Sequence, residues 1–210
     1  MKHATRIALA AVTATAIVGC SSLPGSAELD SLTASIVKAS FRTQGVATVD
    51  RVLNVDETNR VCSDADVAGK PLDEKMAKAI EAQNLKTIKW PADGKFLGDW
   101  RKGEAVAQSG RGLTWTDAAN STNGGNCYNC HQISMAEISH GTLGPSLHNY
   151  AKLKGTDEQA LRDAWAKIWN SKSSNACSNM PRAGHMGILK EKDIQDIMAL
   201  LFSPDSPVNK

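Results

Sequence analysis

Two thiols and an imidazole lie within five residues, Cys127-Tyr128-Asn129-Cys130-His131. Three chemistries use such a group. A structural zinc site takes four ligands, and this motif offers at most three, with no second C-x-x-C or H-x-x-H pair in the chain. A dithiol oxidant places its C-x-x-C after a strand in an α/β pattern, and no convincing strand pattern is present. A covalent haem needs two thiols on one helical turn to add to its two vinyl groups, and an adjacent histidine to meet the iron from the same side. C-x-x-C-H is the signature of that attachment. The motif points to one haem c, attached at Cys127 and Cys130, with His131 on the iron.

Gly141-Thr142-Leu143-Gly144-Pro145-Ser146-Leu147 follows closely. A Gly/Pro turn near an axial histidine directs a backbone carbonyl at its ring N–H, which fixes the ring and raises its basicity. Pro145 is the residue expected there. The sixth ligand has several candidates. Met135 lies one turn past His131, on the same side. His140 and His148 flank the proximal turn, and Cys177 is a further candidate. Met180, followed by Pro181-Arg182, stands far enough along the chain for it to wrap the haem and return. Met180 is the expected distal ligand, with His185 and Met186 as alternatives. His/Met ligation raises the reduction potential.

The surrounding chain says where this chemistry takes place. Met1 to Arg6 is a short basic segment, and Ile7 to Val18 is an apolar run too short to span a bilayer. Residues 1–19 read as an export signal. Ile17-Val18-Gly19-Cys20 resembles a lipobox, which would acylate Cys20, and Gly25-Ser26-Ala27 offers ordinary cleavage instead. Either implies a location outside the cytoplasm, the periplasm, with a lipid anchor in the first case. The formal charge is +2. Without Lys2 and Arg6 the basic and acidic counts are equal, and no Lys/Arg cluster argues for nucleic acid. Of the five cysteines, Cys20 is lipidated or removed and two belong to the motif. Parity in an oxidising compartment leaves Cys62 and Cys177 for a disulfide. Its rivals are two thiols that never meet, or Cys177 bonded to a partner.

The elements that must position these groups read as helices. Residues 28–42 carry Leu32, Ile36 and Val37 at helical spacing, and residues 73–85 form a second helix opened by acidic residues. Residues 44–66 are less regular. A change of pattern after Trp90-Pro91-Ala92-Asp93-Gly94 puts a domain boundary between an extension, 20–98, and a domain, 99–210. In the first helix of that domain, Gly103 and Ala107 give a face able to approach another helix closely. Thr156 and Gln159 suggest a capping box for a helix bearing Leu161, Trp165, Ile168 and Trp169. A last helix carries Ile194, Ile197, Met198 and Leu201 and stops before Pro204. The fold class expected is all-α.

Four stretches resemble one family: GNCYNCHQ at 125–132, GTLGPSL at 141–147, CSNMPRAG at 177–184 and LLFSPDSPVN at 200–209. The chain is similar to SoxX, the monohaem cytochrome c subunit of the sulfur-oxidation complex SoxAX. The resemblance implies a class I cytochrome c fold with first and last helices crossing at the haem. It assigns haem attachment to Cys127 and Cys130 and axial ligation to His131 and Met180. It implies a SoxA-type cytochrome partner and membership of an L-cysteine S-thiosulfotransferase in which this chain transfers electrons and has no catalytic residue. It also implies service to a SoxYZ-type carrier protein, whose cysteine receives thiosulfate, and a downstream cytochrome acceptor. A free-standing monohaem shuttle is the alternative. Two positions depart from the family: Ala183 stands where Phe is common, and Lys190 where a capping Thr is common.

Overall fold

The computed structural model describes residues 25–210. The export signal and Cys20 lie outside the described residues. Two compact units divide at Arg42. The first contributes helix α1, Ser26–Ser40, with Leu29, Leu32 and Ile36 exposed.

The second unit, Thr43–Lys210, holds α2 (Asp50–Leu53), α3 (Glu57–Val67), α4 (Glu74–Leu85), α5 (Trp100–Gln108), α6 (Tyr150–Lys154), α7 (Glu158–Trp169) and α8 (Glu191–Phe202). No strand occurs among the described residues beyond one isolated bridge, Gln44 to Ala47. The fold is therefore all-α. Because one compact unit runs from Thr43 to the end, the boundary at residue 98 does not separate two packed bodies.

The heart of this unit is the crossing of α5 and α8. Asp99 caps α5 by accepting from Arg101 N–H at 3.0 Å. Gly103 and Ala107 are buried on the face toward α8. A β-carbon at Gly103 would overlap the carbonyl of Asp196, so the backbones touch and only glycine fits. The buried Asp196 carboxylate accepts from the Asp99 N–H and from Lys192 Nζ, both at 2.7 Å. On α8, Ile194, Ile197, Met198 and Leu201 are all buried, as their spacing predicts. Lys190 supplies no cap, but its N–H donates to Asp193 at 2.9 Å, which satisfies one helix-end group another way.

Helix α7 starts one residue later than the expected box. Asp157, not Thr156, is its N-cap, accepting from Ala160 N–H at 2.8 Å, and Gln159 bonds Asp163 at 2.9 Å instead. An ionised carboxylate beside the positive helix end is the better acceptor. The apolar face of α7 meets α8 in a tryptophan-rich core. Trp165 stacks on Trp169 at 6.1 Å and meets Phe96 edge-on at 5.7 Å. Trp165 Nε1 donates to Lys89 O at 2.9 Å. The extension joins the same core: Asn170 Nδ2 donates to Asn84 Oδ1 at 3.0 Å and to Thr87 Oγ1 at 2.9 Å.

Candidate haem site

The Cys127–Asn129 segment forms one 3-10 turn. Asn126 enters it in the left-handed region at φ 51°, a conformation asparagine tolerates better than most residues. Cys127 O accepts from Cys130 N–H at 3.1 Å and from His131 N–H at 2.9 Å. Both thiols and the imidazole therefore hang from one turn. Cys127 and Tyr128 pack with Ala107 of α5, Ile133, Leu200 of α8 and Val208. Burial pushes the Cys127 thiol up to about 11. A dithiol oxidant needs the opposite shift, toward the thiolate, and the burial of Cys127 works against it.

The loop after the motif folds straight back on it. Gly141 N–H donates to Tyr128 O at 2.8 Å, Gly144 N–H to Cys130 O at 2.7 Å, and Leu147 N–H to Gln132 O at 2.7 Å. Pro145 O lies 2.7 Å from His131 Nδ1. A carbonyl only accepts, so Nδ1 carries the proton and Nε2 keeps its lone pair for a metal. A β-carbon at Gly144 would strike the imidazole ring, so glycine lets the backbone lie against it. Pro145 thus stands where the sequence placed it.

The loop bearing Met180 is held differently. Ser171 Oγ donates to Met180 O at 2.6 Å, and the half-buried Met180 side chain packs against the tryptophan core. Cys62 of α3 and Cys177 are joined in a disulfide. Arg182 pairs with Asp56, which also caps α3 by accepting from Asn59 N–H at 2.9 Å. Burial pushes the Asp56 carboxyl up, but the Asn59 bond and Arg182 outweigh it and hold the group below its ordinary value. Lys172 is buried nearby, its Nζ donating to Ala176 O at 3.3 Å; burial first and then the Arg182 charge hold its pKa down. Of the alternatives to Met180, Met186 and His185 are exposed, and Met135 is exposed on the motif side.

Asp56, Lys172 and Arg182 escaped the sequence reading. Arg182 was visible only as the residue after Met-Pro. Nothing local to Asp56 names a partner 126 residues away.

The donors fit a haem c: two thiols on one turn and an imidazole with Nε2 free to ligate. Trp169 adds a further sign. It is 7% exposed, and its indole N–H has no acceptor among the described residues. A buried donor left unpaired is costly, and a haem carboxylate would satisfy it.

A helical fold whose first and last domain helices cross beside a C-x-x-C-H turn defines the class I cytochromes c. Residues 116–203 match the cytochrome c family, so this stretch is a cytochrome c domain. Haem-based electron transfer with covalently bound haem c follows from that domain. The chain is also 36% identical over 159 residues to an uncharacterized lipoprotein of Aquifex aeolicus strain VF5, covering 74% of this chain and 73% of that protein.

Proposed function

We propose that this chain is a monohaem electron-transfer subunit in which Cys127 and Cys130 hold the haem and His131 and Met180 are the axial ligands. The observation that carries the reading is the bond from His131 Nδ1 to Pro145 O, 2.7 Å long, on the turn that also bears both thiols. It leaves Nε2 oriented as a ligand before any metal is bound, which lowers the entropy cost of coordination. When bound, haem c supplies a reversible one-electron couple. The protein residues fix ligand identity and exclude water. Cys127 and Cys130 prevent loss of the group, His131 presents nitrogen, and Met180 presents a soft sulfur that favours the reduced state.

The finer reading places the chain in a SoxAX-like thiosulfate-oxidising complex. The Met-Pro-Arg stretch and the terminal Ser-Pro-Val-Asn support it. The chain accepts electrons released when a SoxA-type partner joins thiosulfate to a cysteine of a SoxYZ-type carrier, and passes them to a downstream cytochrome. The protein works in the periplasm, anchored through acylated Cys20, in keeping with the Aquifex relative, which is named a lipoprotein. Cys20→Ala releases it from membranes if so; a wild-type protein already soluble and beginning near Glu28 rejects the anchor. Affinity capture of the tagged chain from the exported fraction, followed by haem staining, tests the partnership. A second haem-staining cytochrome is expected. Capture of the chain alone rejects the complex and favours a free-standing shuttle.

A further inference from the structure

The Cys62–Cys177 bridge does not lie in the core. It forms part of the wall of an open groove of about 460 Å³, lined also by Ala65, Pro71, Leu72 and Asn175. A groove of this size admits a small molecule. Cys177 is exposed, and Cys62 is half-buried. The two cysteines thus differ in exposure, and access decides which sulfur is attacked.

The leaving side is also prepared. Cys62 Sγ lies 3.4 Å from Ala176 O. In the bridged state that sulfur carries no hydrogen, so the contact is not a hydrogen bond. Lys172 Nζ donates to the same oxygen at 3.3 Å. The Lys172 ammonium and the sulfur that would depart as thiolate thus share one neighbouring oxygen, and a cation in that region stabilises such an anion and speeds its departure. Once protonated, the Cys62 thiol finds its acceptor already placed in Ala176 O. The bridge also closes the loop that runs on to Met180 and Arg182.

We infer that this groove is a site of thiol–disulfide exchange with a low-molecular-weight thiol, and that opening the bridge releases the loop carrying Met180. A thiolate attacks Cys177 Sγ. The S–S bond breaks, Cys62 leaves with the electron pair and takes a proton, and Cys177 holds a mixed disulfide. A second thiolate attacks the outer sulfur of that bond, giving the small disulfide and a Cys177 thiol. Two thiols are oxidised and one bridge is reduced, and the small disulfide reverses the process. The effect on the loop rests on the reading of Met180 as axial ligand; the exchange itself does not.

The test uses the haem-loaded protein, kept ferrous with ascorbate, which leaves disulfides intact. L-cysteine is the probe and S-methylcysteine the control without a thiol. Alkylation of the folded protein followed by peptide mapping reads the bridge, and carbon monoxide binding reads the distal position. With ascorbate alone, carbon monoxide should be excluded. L-cysteine should make Cys62 and Cys177 alkylatable and allow carbon monoxide to bind, and the control should do neither. Lys172→Met should slow opening about tenfold by raising the pKa of the leaving thiol. A bridge that reacts only after denaturation overturns the site. An opened bridge with carbon monoxide still excluded overturns the release of the loop. Carbon monoxide binding in ascorbate alone rejects Met180 ligation, and alkylation then decides the exchange by itself.

Discussion

Loop 141–147 is tied to residues 128–132 by three backbone hydrogen bonds and the bond from His131 to Pro145, the last spanning 14 residues. Loop 177–182 is tied by side chains of Asp56 and Cys62, which lie 126 and 115 residues away. The histidine side of the site thus carries its own instructions, written in glycines and a proline next to the ligand. The methionine side has one local tie, Ser171 Oγ to Met180 O, and borrows the rest from α3, an element outside the matched cytochrome c region. Backbone bonds within a short span form with little loop-closure cost, whereas long-range ties require most of the chain to be in place. The comparison predicts that changes in the extension alter methionine ligation and leave histidine and thioether attachment untouched.

The sharpest way to separate the two sides is to remove each ligand set. Replacing both Cys127 and Cys130 with Ala should abolish haem staining of the denatured protein altogether. Met180→Ala should keep that stain and abolish the weak far-red charge-transfer band of sulfur-ligated ferric haem. If Met186→Ala removes the band and Met180→Ala leaves it, the distal assignment is wrong.

The ties come next. Replacing Cys62 and Cys177 with Ser should lower the denaturant midpoint. A loop of 115 residues gives an upper figure of about 5 kcal/mol from chain entropy, and about 2–4 kcal/mol is expected because the haem already restrains the unfolded chain. The far-red band should weaken while the stain persists. A stable variant with an unchanged band would show that the extension does not order the methionine side.

Asp56→Asn should act less strongly. Arg182 is 8% exposed and loses its counter-charge, but Asp56 is 41% exposed, so solvent screens the pair and about 1–2 kcal/mol is expected. The pH dependence has a definite sign. The folded carboxyl titrates below its ordinary value of 3.8, so its contribution is complete above that value and is lost as pH falls through the folded pKa. The wild-type advantage over Asp56→Asn should hold at neutral pH and vanish in acid. An advantage that persists unchanged at pH 2 would exclude the ion pair as its source. The smallest effect should come from Asp157→Ala, about 1 kcal/mol for a lost cap, with the far-red band intact.

The same contrast explains what the sequence disclosed. The C-x-x-C-H turn and the Pro145 carbonyl were readable because their chemistry depends on neighbours within a few positions. The α5 face of Gly103 and Ala107 was readable because small residues at helical spacing are a local pattern. Cysteine parity in an oxidising compartment singled out Cys62 and Cys177, but spacing did not. Asp56 with Arg182 was invisible, since a charge on one segment does not name its partner on another. The short helices α2, α3 and α6 were missed because weak apolar periodicity leaves little signal. The cap of α7 was misplaced by one residue because Thr156 and Asp157 are both good caps in sequence.

The α5–α8 crossing at Gly103 has a consequence in time. Its partners stand at the two ends of the cytochrome region, and contacts of such separation form late, after the intervening chain has been gathered. The burial that pushes the Cys127 thiol up comes partly from Leu200 and Val208. Until the C-terminus arrives, that thiol keeps ordinary reactivity. Attachment at Cys127 and Cys130 is therefore expected to be easier before Leu200 and Val208 pack against the turn than after.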